Sequence, residues 1–472
     1  MTLARTSLPI ALVLALTTGC NPGTSGPDDD PNNPANDSTV QGRVDDGAGQ
    51  QSLSFGGAGT MEAAQTARLS RVKDDGSLEV ISETSIDSSG SYSLEAPSSQ
   101  DRMVLEALDA SGEVVAAAIL EATAEAEGGA VTATPMDSES TVEARVFVEM
   151  IAHGVQKSDV NVVDLRGRID AAMASAVKAS SEQGGDAEAQ LTVLAEAMWA
   201  AQRSEEMAYA DMGLDLSQAD MFMMELDVSQ ALSAALDAGE PAEISYDAFF
   251  DAIVLVHEEA GADARTQSEA EAQASFSTRL IVEQRLGSEA ADLAEATVVH
   301  AAEGEAMLTA RATEAILASA DVTAAVEAHA EDAAEDLTSD VDAAADAAEA
   351  HEAWATWRAE LVGEGSVEGS VLGDALQVNA VTAATVDVAL GSAWMARERF
   401  ESEVIDEVTA ALDTNASLSG SADATAEAVA DGRMVYHSTL EDIASELSIL
   451  EELDTFTSIV IEADGSFVAA AQ

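Results

Sequence analysis

Lysine is almost missing from this chain. Only Lys73, Lys157 and Lys178 carry an ammonium group, and the basic side chains number 20 in all against 88 acidic ones, a net charge of −68 over 472 residues. Such a polypeptide repels phosphate backbones and anionic headgroups, which excludes nucleic acid and charge-driven membrane binding. Cysteine occurs once, at Cys20, so there is no disulfide framework within the chain. Aromatic residues make up 4%. Of eight prolines, only Pro241 lies beyond Pro135. The apolar run Leu8–Leu16 is nine residues long, reaching about 14 Å as a helix against a hydrocarbon core of about 30 Å, so it does not span a membrane.

Catalytic signatures are scarce too. No Gly-x-Ser-x-Gly elbow, phosphate-binding glycine loop or dinucleotide fingerprint occurs. None of His153, His257, His300, His329, His351 and His437 stands three residues after a glutamate, as a di-iron helical bundle would need. His257-Glu258-Glu259 and His351-Glu352 lack the second histidine of a zinc helix.

What is present begins with an address. Arg5 precedes Leu8–Leu16, and Thr18-Gly19-Cys20 follows, giving a charged start, an apolar segment and small residues before a cysteine. This arrangement resembles a bacterial lipoprotein signal peptide over residues 1–19. In that family the cysteine is lipidated on sulfur, the signal is removed before it, and the new amino group is acylated, which implies lipidation of Cys20. Thr17 departs from the family's usual leucine three residues before the cysteine. Asn21, where many retained lipoproteins have aspartate, leans towards the outer membrane or cell surface. A plain secretory signal beside an unpaired thiol is the competing expectation. Three acyl chains would make attachment effectively permanent.

Residues 20–38 form the anchor cysteine and a tether: Pro22, Pro27, Pro31 and Pro34 alternate with acidic and polar residues that bury too little apolar surface to offset ordering. Asp28-Asp29-Asp30 is read as solvated linker rather than a calcium loop.

From 39 to 135 apolar residues recur at period two: Val40, Gly42, Val44; Ala67, Leu69; Leu78, Val80; Tyr92, Leu94. Turn signals separate them at Asp74-Asp75-Gly76, Asp87-Ser88-Ser89-Gly90 and Ala110-Ser111-Gly112. About seven strands in a sandwich are expected. Val40-Gln-Gly-Arg-Val44 followed by Asp87-Ser-Ser-Gly-Ser-Tyr-Ser-Leu94 resembles the carboxypeptidase regulatory-like (transthyretin-like) β-sandwich, and that resemblance implies Tyr92 and Leu94 as core residues of a non-catalytic module. An immunoglobulin-like sandwich of separate origin is the rival.

Residues 136–472 are rich in Ala, Glu, Asp, Leu and Val, a helix-favouring composition predicting a large all-α region of about ten helices in one large bundle or two stacked ones. Asp137-Ser138-Glu139-Ser140-Thr141 offers N-caps to its first helix. Leu191, Leu194 and Met198 mark one apolar stripe, Tyr246, Phe249, Phe250, Ile253, Val254 and His257 another, and Tyr436, Leu440, Ile443, Leu447 and Leu450 a third. Phe456–Phe467 suits either a hairpin or a last helix.

Three histidine neighbourhoods are candidate sites. Glu349, His351 and Glu352 lie beside Trp354 and Trp357; His300 lies beside Glu303 and Glu305; His329 lies between Glu327 and Glu331. In a chain so rich in glutamate such neighbours also arise by composition. His257, the tryptophans Trp199, Trp354, Trp357 and Trp394, and Met221-Phe222-Met223-Met224 read first as core. The sequence implies no metal and no cofactor. The expected role is that of a non-enzymatic exported lipoprotein, structural or interacting, with the membrane as partner through its lipid and an unnamed protein or envelope partner. The alternative is an envelope protein holding a small ligand or cation near Trp354 and Trp357. A hydrolase with an unrecognised site is the third reading. The acid excess suits saline surroundings, with capture of cations as its functional rival.

Overall fold

A computed structural model describes residues 38–44, 64–97, 101–120, 130–182, 186–211, 213–214, 264–300, 324–344, 402–415 and 417–447, with isolated helical positions at 302, 306, 349–350, 352–353, 356–357 and 399. Seven strands in two sheets are followed by mostly helical segments.

The strands are β1 (Ser38–Arg43), β2 (Thr66–Val72), β3 (Leu78–Ser85), β4 (Ser91–Ala96), β5 (Met103–Leu108), β6 (Val114–Leu120) and β7 (Ala130–Thr132). One sheet has the order β4-β1-β7 and the other β3-β2-β5-β6. Three connections are tight turns built alike. Asp75 accepts from the Ser77 amide and hydroxyl, Asp87 from Ser89 and the Ser91 amide, and Asp109 from Ser111 and the Glu113 amide. The glycine of each turn, Gly76, Gly90 or Gly112, takes a positive φ of 75–86°.

Between the sheets lie Val40, Leu69, Tyr92, Leu94, Met103, Leu105 and Leu120. Tyr92 pairs across the ladder with Gly42, and a Cβ on Gly42 would fall 2.2 Å from the Tyr92 hydroxyl oxygen. The glycine is there because the phenol ring lies over it. β4 keeps the expected alternation, Tyr92, Leu94 and Ala96 inside and Ser91, Ser93 and Glu95 out.

β5 and β6 do not alternate; almost every side chain is buried. The cause is a second layer. α1 (Ser138–Ala152) lies on β6, and Val72, Val104, Ala117 and Ile119 on the outer face of the four-stranded sheet share one core with Phe147, Met150 and Ile151 of α1. Leu78 and Val80 also differ from the expected common buried face. Leu78 and Val80, opposite Val72 and Ser70, share a face, but Leu78 packs on the helical core while Val80 stays 51% exposed; a bulge beyond Val80, opposite Leu69/Ser70, turns Ile81 to the sandwich core.

Edge strand β6 is sealed by helices rather than by another strand. The Ala117 amide donates to Thr141 Oγ1 (2.9 Å), and its carbonyl accepts from Ser140 Oγ (2.8 Å). Ser140 also closes a capping box with Asp137 at the start of α1.

Beyond α1 come a 3-10 turn (Lys157–Asp159), α2 (Val162–Arg168), α3 (Ala171–Glu182), α4 (Ala187–Asp211), α5 (Ala264–Leu286), α6 (Ala324–Asp342) and α7 (Leu418–Leu447). α4 packs along α5 and α7. Leu191, Leu194 and Met198 face inward as their spacing predicts, with Trp199 beside them in the core. In α7 Tyr436 is buried; the side chains of Leu440, Ile443 and Leu447, residue Leu450, and the stripe from Tyr246 to His257 lie outside the described residues.

Candidate functional site

The strongest concentration of chemistry among the described residues is buried and centred on α2. All seven residues of Val162-Val-Asp-Leu-Arg-Gly-Arg168 are buried, although three carry ionisable groups. Asn161 caps the helix, its side-chain carbonyl accepting from the Val163 and Asp164 amides at 3.1 and 3.3 Å. The Asn161 amide group in turn donates to Asp164 Oδ2 at 2.5 Å.

Successive charged residues of this short helix turn to different neighbours. Arg166 points to the sheet side: its Nη2 donates to the Ile119 carbonyl of β6 at 2.9 Å, and its Nε to Glu143 of α1 at 3.3 Å. Asp164 and Arg168 point to the helices. Arg168 holds Glu271 of α5 through both terminal nitrogens, at 2.8 and 2.6 Å, and reaches Glu205 of α4 at 3.2 Å. The Asp164 and Glu205 carboxyls are hydrogen-bonded to one another, with Tyr209 buried beside them.

Three buried carboxyl groups thus meet one guanidinium. Burial, with the Glu205 charge next, pushes Asp164 well above the usual carboxylate range. Burial also raises Glu205, outweighing the pull of Arg168. A hydrogen bond between two carboxyls needs a proton on one of them, so this geometry holds an acid in its neutral form. Tyr209 is pushed up by the same burial and by the Glu205 charge.

A second acidic group flanks the joint. Glu139, in the first turn of α1, is pushed up to about 8 by burial and by Asp137, Glu143 and Asp170. Asp170 lies 3.6 Å from His300 Nδ1 and accepts from the Met173 amide at 2.7 Å. Burial works to raise its pKa, but the hydrogen bond and charge of His300 bring it below the usual value. Further along, Glu196 of α4 binds Arg285 of α5 at 2.8 and 2.9 Å and accepts from Ser421 of α7.

The sequence-derived candidates fall elsewhere. Cys20 lies outside the described residues, as do His351 and Trp354. Glu349 and Glu352 are exposed, whereas Trp357 is buried in the helical core. Glu303 and Glu305, the side chains of Glu327, His329 and Glu331, and Met221–Met224 with Trp394 also lie outside the described residues. His300 is buried against Asp170 rather than displayed. An open groove of about 280 Å³ does occur between residues 399–407 and α7, floored by Val404 and Tyr436 and rimmed by Glu403, Glu407 and Asp431. Arg399 at its mouth is already paired with Glu403 at 2.8 Å.

Periodicity reasoning missed the α2 cluster because it weighs apolar spacing and treats charge as surface. One signal was available. In a chain with 20 basic residues, Arg166 and Arg168 stand two apart between Val160 and Ile169, a stretch that also carries Asn161 and Asp164 among Val162, Val163 and Leu165, and scarce arginines so placed mark buried pairing.

Comparison with protein-family models, curated proteins and solved structures gave no match to this chain. No described helix is long and apolar enough to cross a membrane, and no described group of three or more His, Cys, Asp and Glu side chains is arranged to hold a metal ion.

Proposed function

We propose that the chain is an exported lipoprotein, held at the cell envelope by an acylated Cys20, with a non-enzymatic structural or interaction role. The observation that carries this reading is the order of the first 38 residues: Arg5, the apolar Leu8–Leu16, Thr18-Gly19-Cys20, then a proline-rich acidic tether. A lipid anchor also resolves a physical conflict, since a chain of net charge −68 has no electrostatic means of staying on an anionic bilayer.

In this reading residues 39–135 are a carboxypeptidase regulatory-like sandwich acting as a spacer, and 136–472 are an acidic helical bundle that presents the working surface. The packing of Tyr92 over Gly42, which joins the two short motifs behind that assignment, supports it. A structural role is supported by how the buried charges are spent. Arg166 ties β6 to α1, Arg168 ties α2 to α4 and α5, and Arg285 with Ser421 ties α5 and α7 to Glu196. These groups are engaged in joining elements, not aimed at a substrate cavity.

The test is the intact mass of protein extracted from membranes, beside a Cys20→Ala variant. A mature chain beginning at Cys20 with added acyl mass, lost in the variant, is the expected result. An unmodified chain released into the medium overturns the anchor and with it the envelope assignment.

A further inference from the structure

The α2 cluster holds more carboxyl groups than its arginine can neutralise. With Asp164 protonated, Glu205 and Glu271 face Arg168 and the cluster carries one net negative charge; with Asp164 ionised it carries two, all in a buried position. Loss of the proton also removes the only hydrogen that joins Asp164 to Glu205, leaving two like charges in contact away from water. The contact sits where it matters mechanically. α2 is fastened on one side to β6 and α1 through Arg166, and on the other to α4 and α5 through Arg168, with Asp164 meeting Glu205 of α4.

We propose that the carboxyl–carboxyl contact of Asp164 with Glu205 is a pH-sensitive latch fastening α2, and with it the four-stranded sheet, to α4 and α5. The latch is closed while the pair shares a proton and loosens when that proton leaves. The charged and titratable groups facing the pair are Arg168 on α2, Tyr209 and Glu206 on α4, and Glu271 on α5; on the α1 side Glu143 faces Arg166. Glu139, pushed up to about 8, and the His300 that faces Asp170 also lie near the joint, so the test has to separate them.

The sign follows from linkage. The closed form binds one proton more than the opened form, in which Asp164 and Glu205 are ordinary carboxylates, so closure weakens as pH rises and levels off once the closed form too is deprotonated. The experiment is hydrogen exchange on the full chain from about pH 5.5 to about pH 8.5, with rates divided by the intrinsic exchange rate at each pH. Ordinary carboxylates stay ionised over this window, so the bulk of the −68 charge is constant. Amides of α2 are expected to lose protection by up to about tenfold per pH unit, while those of β2 and β5 hold steady.

Asp164→Asn keeps an acceptor for Asn161, supplies a donor to Glu205, and fixes the cluster at the net charge of its protonated form. Its α2 protection is expected to be flat with pH. Glu205→Gln fixes the same charge and stands in should Asp164→Asn not fold. A flat wild-type profile overturns the latch without any variant. So does a slope that persists in Asp164→Asn, or one abolished by Glu139→Gln or His300→Asn, which would place the proton at those residues instead.

Discussion

Aspartates in the two halves of this molecule are used in opposite ways. In the sandwich, Asp75 and Asp87 stand exposed and Asp109 half-exposed at turn tips, where serine hydroxyls and backbone amides hold their carboxyls below the usual pKa. In the helical region, burial and neighbouring charge push Asp164 and Glu205 above it. The turn aspartates organise backbone by staying charged in water. The buried ones organise helices by sharing an arginine and a proton. A chain with 88 acidic residues can therefore build with acid in two ways, and the surroundings of each carboxyl decide which one applies.

The comparison breaks most severely at Arg168. Replacing it with methionine leaves Asp164, Glu205 and Glu271 buried without their shared cation. Removing one partner of a buried ion pair costs about 3–5 kcal/mol, and here two ionised carboxylates lose theirs at once. Urea unfolding followed by hydrogen exchange is expected to show α2, α4 and α5 destabilised first, with β1 and β4 retaining protection. Equal loss in both regions would mean that the shared core between the four-stranded sheet and α1 makes one cooperative unit of them.

How far the sequence disclosed this fold varies with the physics of each part. Turns were legible because their chemistry is local: Asp87-Ser-Ser-Gly90 specifies its own hydrogen bonds within four residues. The Asp137–Ser140 capping box and the α4 stripe were legible for the same reason. The double burial of β5 and β6 was not, because it depends on α1 arriving from outside the sandwich. The bulge opposite Leu69/Ser70 that turns Ile81 inward was hidden as well, since one inserted residue exchanges faces beyond Val80 without leaving a mark in the local pattern. As for the candidate site, the tryptophan-centred neighbourhood drew attention through its residue types, yet Trp357 serves packing. The charged joint at Asp164, Arg166 and Arg168 depends on partners about 20 to 100 residues away, which no local pattern contains.

A smaller effect sharpens the sandwich side of the comparison. Gly42→Ala would force its new methyl into the Tyr92 ring and hydroxyl, an overpacking that typically costs about 1–3 kcal/mol. The Tyr92 hydroxyl is itself buried with no hydrogen-bond partner, so Tyr92→Phe is expected to be neutral or mildly stabilising. It is also expected to recover part of the Gly42→Ala loss, because the nearest contact is the oxygen. Denaturation midpoints of the two single variants and the double variant form a cycle that reads this coupling. Strict additivity would show that the close approach of Gly42 to Tyr92 is relieved by backbone movement instead.

The smallest effect comes from the exposed turns, and its value lies in its sign. The pKa values of Asp75, Asp87 and Asp109 are lowered in the folded chain, so what they contribute is present above the ordinary aspartate pKa and is lost as pH falls through the folded value. Asp164 and Glu205 are raised, so their contribution is full in acid and lost as pH climbs. Acidification from about pH 5 to about pH 2 is therefore expected to weaken protection of the Ser89 and Ser91 amides, which donate to the Asp87 carboxylate, while α2 amides keep theirs relative to the turns. Asp87→Asn retains an acceptor oxygen but has no proton to gain, so its turn amides should lose the acid response and little else. An unchanged acid response in that variant would show that the carboxylate is a bystander and that the positive φ of Gly90 alone sets the turn.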